Sequence, residues 1–440
     1  MMNRRDFLKT TLLTTGGLLL ANLFSDAAPA AKKFVPATSR VRLGIDMLEA
    51  EKFARLRGER VGLVTNQAGV NRFGESTIRV LHTRGRRAGV NLVALFGPEH
   101  GIYGDVPAEK IVADQKDTRL GTKLPVFSLY GGTRKPTAEM LRGITKMVID
   151  LQDVGSRSYT FVSCMRLVME ACFEAGIPVL VLDRPNPLGG LKTDGPMLDE
   201  KWQSYVGMYP VPYVHGLTIG ELARAALNEN WLKLSAAARS RAKLDVVKMS
   251  GWKRSMLWRD TGLDWIPTSP YIANPDAAEG YAMTGLGCCL GKFSHTFTAS
   301  RNPLRLVRPF RFLGYIGKNE KEMADLVNSF RINGLRGVPA VLGNGSARGA
   351  LLAVSDWRLL RPTEISFHMM RQCCVWEKTN PFAAARGNDR NLFLKHLGDE
   401  KFFNALCREG AKINIKAWCS RWEARAADFR RSVEDYRLYA

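Results

Sequence analysis

The sequence predicts an α/β fold built on a doubly wound parallel sheet, and three observations carry that prediction. Five short runs between residues 60 and 183 are almost continuous in apolar residues, which is how strands covered on both faces look. Each run ends in a polar turn containing Gly or Pro and is followed by a helical stretch, the alternation from which parallel sheets are built. Finally, 440 residues at 45% hydrophobic content provide more core than one domain holds, since single cores stop growing near ~250–300 residues.

In chain order the first element is an address. Asn3-Arg4-Arg5-Asp6-Phe7-Leu8-Lys9 reads as a twin-arginine export signal, followed by a mild apolar stretch to Phe24 and the small residues Ala27-Ala28-Pro29-Ala30-Ala31. The reading makes residues 1–30 a signal peptide and the mature protein periplasmic or otherwise exported by the twin-arginine route. The stretch is too weak for a stable membrane span. Export gives meaning to the charge, 64 Lys+Arg against 42 Asp+Glu for a net +22. A balance this basic calls for an anionic partner. In the cell envelope that partner is peptidoglycan or lipopolysaccharide, and nucleic acid is excluded. Residues 301–440 hold 25 Lys+Arg against 14 Asp+Glu, leaving 39 against 28 before them, so the excess is densest in the C-terminal part.

The five strand-like runs are Arg60–Asn66, Asn91–Phe96, Leu124–Leu129, Lys146–Leu151 and Pro178–Asp183. In doubly wound sheets ligands bind outside the carboxyl ends of the strands, so the residues just after each run are the candidates. They are Asn66 and Gln67, then Glu99 and His100 in Gly97-Pro98-Glu99-His100-Gly101, then Gln152 and Asp153, then Asp183, Arg184 and Asn186. Any one of these can be a helix cap or turn former. Amide, carboxylate, imidazole and guanidinium groups from four turns together favour a pocket for a polar ligand such as a carbohydrate.

The helix expected over 156–175, stopped by Gly176, is apolar on most of its circumference and is therefore buried. It carries Arg166 and Glu170, four residues apart. Either they form an i,i+4 ion pair, or Glu170 sits among apolar groups with the raised pKa of a general acid. In the second case Glu99 and Glu170 make the two-carboxylate pair of a glycosidase. His100 and His215 read as hydrogen bonders or proton relays at the rim. Thr218-Ile219-Gly220-Glu221 has capping-box spacing, which assigns Glu221 to a helix start. Helical patterns also cover 398–410 and 415–436.

The eight cysteines show no framework, no CxxC occurs, and the six histidines form no HxxxH. No metal site is expected, and most cysteines read as small buried hydrophobes. The first strand is not followed by GxGxxG, so no nicotinamide cofactor, and no cofactor of any kind, is expected.

The motif blocks carry a resemblance. GLVTNQAGV (62–70), FGPEHGIYGD (96–105), SLYGGTRKPT (128–137), VIDLQDVGSRSYTF (148–161), VLDRPNPLGG (181–190), GPML (195–198), YPVPYVHGLTIGELA (209–223) and GWKR (251–254) with TGLDWIPTSP (261–270) are similar to the successive blocks of the NamZ/YbbC-like exo-β-N-acetylmuramidases. The resemblance implies a Rossmann-like catalytic domain over 40–285 and a smaller α+β domain over 286–440 that closes the cleft. It implies release of terminal N-acetylmuramic acid from non-reducing ends of peptidoglycan fragments, with Glu99 and Glu170 catalytic. Asn66, Gln67, His100, Asp153, Arg157, Asp183, Arg184, Asn186 and His215 would bind the glycan. Beyond about residue 272 the chain departs from the family pattern: around 287–301 it reads Gly287-Cys288-Cys289-Leu290-Gly291-Lys292-Phe293-Ser294-His295, without the acidic and Arg-bearing residues of the family block. A catalytically weakened protein that binds peptidoglycan fragments is the alternative this departure supports.

Overall fold

The computed structural model describes residues 40–106, 110–111, 113–286, 293–294, 310–342 and 347–440, all within one compact unit. The export signal and, apart from residues 293 and 294, the altered 287–301 block lie outside the described residues.

The large sheet contains β1 (Arg60–Thr65), β2 (Asn91–Gly97), β3 (Gln115–Lys116), β4 (Pro125–Ser128), β5 (Lys146–Asp150) and β6 (Val179–Leu182). A hairpin of β7 (Asp194–Met197) and β8 (Pro212–Val214) stands apart from it, and β9 (Leu244–Val247) completes it. Its order is β3-β4-β2-β1-β5-β6-β9, parallel throughout except for β3 on β4. All five apolar runs are strands. β3 and β9 escaped the sequence reading because both lie at edges, one exposed and one half-exposed, and so carry no continuous apolar run. Taken in chain order, the six parallel strands stand as 3-2-1-4-5-6, which puts the topological switch between β1 and β5.

Strand residues alternate between two cores, as a period-2 element buried on both faces must. Val61, Leu63, Val148, Leu180 and Leu182 face one cluster with Ile45 and Leu48 of α1 (Gly44–Ala50), Trp252 and Trp258. Val64, Met147, Ile149, Val179 and Val181 face the other, beneath α2 (Thr160–Glu174). Most of the circumference of α2 is buried, as its composition requires. The helix α3 (Ile219–Asn228) begins with the expected capping box: the Glu221 backbone N–H donates to Thr218 Oγ1 at 3.2 Å and Thr218 N–H donates to the Glu221 carboxylate at 3.0 Å.

The C-terminal part holds an antiparallel sheet ordered β10 (Phe293–Ser294), β11 (Phe312–Tyr315), β13 (Ala347–Val354), β12 (Leu335–Leu342), with α4 (Glu320–Ser329) against β12 and β13. Next come α5 (Glu364–Trp376), α6 (Gly387–Leu397), α7 (Glu400–Glu409) and α8 (Ile415–Ser432). Phe367, Phe402 and Trp422 interlock with ring centroids 4.3–5.1 Å apart. The core beneath α2 runs unbroken into these helices.

Candidate active site

The turn after β2 sets the central carboxylate. Glu99, 8% exposed, precedes His100, which takes a left-handed conformation at φ 70° unusual for a non-glycine residue. That backbone is held from both sides: Gly101 also has positive φ, and His100 Nδ1 donates to the Val106 carbonyl at 2.7 Å. Thr160, the first residue of α2, donates its hydroxyl to Glu99 Oε2 at 2.6 Å, which ties this turn to the amino end of the central helix.

The switch-point turns supply the remaining polar groups. Asn66 accepts from Ala68 N–H and donates to the Thr268 carbonyl, while Gln67 donates to the Pro267 carbonyl at 2.7 Å. Room for the Gln67 amide exists because Gly104 has no Cβ; one placed there would sit 2.0 Å from it. Tyr159 reaches the same 267–268 segment by donating to Thr268 Oγ1. After β5, Asp153 is buried. Its Oδ2 accepts from Gly155 N–H at 2.9 Å and pairs with His215 Nε2 at 3.2 Å, while its Oδ1 has no hydrogen-bond partner. Leu217 N–H donates to His215 Nδ1, so the ring proton resides on Nε2 and points at Asp153.

Four of the expected site residues lie beneath the rim and bond mainly to partners inside the protein. Arg184 forms a two-pronged ion pair with Asp150 at 2.5 and 3.0 Å and reaches the Val70 carbonyl. Asp183 accepts from Thr218 Oγ1, Gly220 N–H, Arg184 N–H and Tyr439 Oη, and burial pushes its carboxyl up to about 7. Asn186 bonds Leu217 and Leu188; a Cβ on Gly155, at φ 80°, would strike its amide oxygen at 2.3 Å. Arg157, 1% exposed, donates to the carbonyls of Pro196, Val211, His396 and Leu397, and burial lowers its pKa to about 10.

Glu170 is placed differently from Glu99. It lies ten residues beyond Thr160 on α2, about 15 Å along the axis at 1.5 Å per residue. The i,i+4 pair forms: Arg166 Nε donates to Oε1 at 2.9 Å, with both side chains buried. Lys233 N–H adds a bond at 2.9 Å and Lys135 approaches Oε2 at 3.6 Å. Its surroundings are thus cationic and hydrogen-bonding, supplied by Arg166, Lys233 N–H and Lys135.

Against this geometry stand two family models, for the N-terminal part of the exo-β-N-acetylmuramidase NamZ over residues 61–276 and for its C-terminal part over 306–439. The chain belongs to the NamZ family. The peptidoglycan β-N-acetylmuramidase NamZ of Bacillus subtilis is 38% identical over 331 residues, 74% of each chain. The crystal structure of a DUF1343 family protein from Bacteroides fragilis superposes with TM-score 0.79 at 35% identity, covering 91% of this chain and 99% of that one. A second from the same organism, at 23% identity and TM-score 0.62, shares the fold. The N-terminal NamZ model spans every rim residue from Asn66 to Thr268, and the C-terminal one includes the His396 and Leu397 carbonyls that Arg157 holds.

Sequence reasoning missed Thr160, Tyr159 and Thr268, which meet the rim only through folding, and a group after β4. There Arg134 stacks on Tyr130 with its Cζ 3.4 Å from the ring centroid and 5.0 Å from that of Tyr205. The SLYGGTRKPT block contains two of these residues, but Tyr205 comes 71 residues after Arg134.

Proposed function

We propose that the protein is an exported exo-β-N-acetylmuramidase that releases terminal N-acetylmuramic acid from non-reducing ends of peptidoglycan fragments during cell-wall turnover. The observation that carries this is Glu99: a nearly buried carboxylate at the carboxyl edge of a doubly wound sheet, held by Thr160, in a member of a glycosidase family. Glu99 exchanges the proton with the glycosidic oxygen, a step that contributes ~10²–10⁴ in rate. Asp153, oriented by His215 through Oδ2, offers Oδ1 to a sugar hydroxyl or the attacking water, so the rim supplies both carboxylates that glycoside hydrolysis requires. Asn66, Gln67 and His100 line the same rim as sugar contacts. Arg157, Asp183, Arg184 and Asn186 shape the site from below, and Glu170 anchors α2 to its neighbours.

The N-terminal twin-arginine motif supports export, and the +22 charge supports an anionic envelope polymer as partner. The test is hydrolysis of a chromogenic β-N-acetylmuraminide by the wild type and by Glu99→Gln. Turnover that falls at least ~100-fold in the variant agrees with the assignment. A wild type that binds the sugar without cleaving it would make the protein a fragment-binding relative instead.

A further inference from the structure

We infer that the Arg134 guanidinium, clamped by Tyr130 and Tyr205 near Glu99, recognises a carboxylate on the bound sugar, and that this is the 3-O-lactyl acid by which N-acetylmuramic acid differs from N-acetylglucosamine. The inference rests on the muramidase reading and adds to it a specificity-determining group.

Three observations meet here. First, the guanidinium is held in advance. Its Cζ lies over the Tyr130 ring at 3.4 Å and near Tyr205 at 5.0 Å, and the two rings are 5.7 Å apart at a tilt of 52°. A planar cation stacked this way keeps its forked N–H edge in a fixed plane, the geometry that matches a carboxylate. Second, one nitrogen of the guanidinium has no partner inside the protein: Arg134 Nη1 is buried without a hydrogen bond, and so is the neighbouring Tyr205 hydroxyl. Among the described residues no carboxylate pairs with Arg134, whereas the next residue, Lys135, is committed to Glu170. A buried cationic donor left unmatched is costly, and two adjacent donors of this kind are satisfied together when an anion enters. Third, the group lies by the amino-terminal turns of α2, whose first residue, Thr160, holds Glu99. Tyr205 feels the charges of both Glu99 and Arg134, and Cys164, one turn after Thr160 on α2, feels Arg134.

The chemistry has a consequence for the substrate. A peptide stem is joined to muramic acid through an amide at the lactyl carboxyl, which removes its charge. The clamp therefore selects sugars with a free lactyl acid over stem-bearing ones.

Calorimetric titration of the purified protein with N-acetylmuramic acid and with its lactyl carboxamide tests the inference independently of catalysis. The acid is expected to bind at least tenfold more tightly than the amide. In Arg134→Met that preference disappears, and in Tyr205→Phe, which keeps the cation and the ring, it falls severalfold. Equal affinity of the wild type for acid and amide overturns the inference, as does an unchanged preference in a folded Arg134→Met. Should Arg134→Met not fold, the wild-type ratio and Tyr205→Phe decide. Selective binding of the acid by a wild type that does not cleave the chromogenic β-N-acetylmuraminide would sink the glycosidase reading and leave the clamp standing.

Discussion

Thr160 donates its hydroxyl to Glu99 at 2.6 Å, so the first residue of the central buried helix orients the carboxylate at the centre of the rim. The bond joins two turns that are 61 residues apart and that the parallel sheet brings side by side. Thr160→Val keeps the branched shape and removes the donor. Turnover of a β-N-acetylmuraminide should fall roughly tenfold, while stability drops by about 1 kcal/mol, the net value of one hydrogen bond. Steady-state kinetics and chemical denaturation of the same preparation measure both; unchanged turnover would remove Thr160 from the orienting role.

Glu170 should behave as an anchor. Glu170→Gln leaves the buried Arg166 without its carboxylate, and breaking a buried pair in this way costs about 3–5 kcal/mol. We expect a clear drop in the unfolding midpoint, with at least a tenth of wild-type turnover retained. A variant with a native midpoint and no turnover would restore Glu170 to the catalytic pair.

Asp183 gives a pH dependence with a defined sign. Burial, with a smaller contribution from the nearby Glu221, raises its carboxyl from the ordinary 3.8 to about 7, against the opposing hydrogen bonds from Tyr439, Gly220 and Thr218. Between those values the folded state holds a proton that the unfolded chain has released. Its contribution to unfolding free energy therefore declines as pH rises from about 4 to about 7 and is flat above that range. Comparing unfolding midpoints across this window in the wild type and in Asp183→Asn isolates the effect: the variant is less stable overall and lacks that component of the slope.

Arg157 joins the two parts of the protein through four carbonyls, two of them at the end of α6. Arg157→Met fills similar volume and satisfies none of them. Stability should fall by about 3 kcal/mol or more, since several buried acceptors lose their donor at once. Limited proteolysis should then cut first near residues 395–400; an undiminished unfolding midpoint would contradict this.

Much of the fold was readable because its physics is local. Continuous apolar runs such as Val61–Val64 and Val179–Leu182 announce strands covered on both faces, and Thr218 with Glu221 announces a helix start three residues long. The rule that ligands gather at strand carboxyl ends then singled out Asn66, Glu99 and Asp153 without coordinates. The edge strands β3 and β9 were not readable, since an exposed edge needs no apolar run.

The sequence by itself determined the sheet, its rim and, through ordered motif blocks, the family. Tertiary structure alone decided which polar residues face the rim and which support it. Asp183, Arg184 and Asn186 share one turn and are all polar, yet all three are consumed by internal partners: Asp183 by the start of α3 and by Tyr439, Arg184 by Asp150 of β5, and Asn186 by Leu217 and Leu188. Glu170 and Glu99 are both nearly buried glutamates, yet one is held by Arg166 and the other by Thr160, six residues and about 9 Å apart along one helix. Arg134 stands between two rings, Tyr130 from its own loop and Tyr205 from a distant one, a pairing that only the fold creates. Burial and partnering are set by segments distant in sequence, and a one-dimensional pattern of residue types carries no record of them.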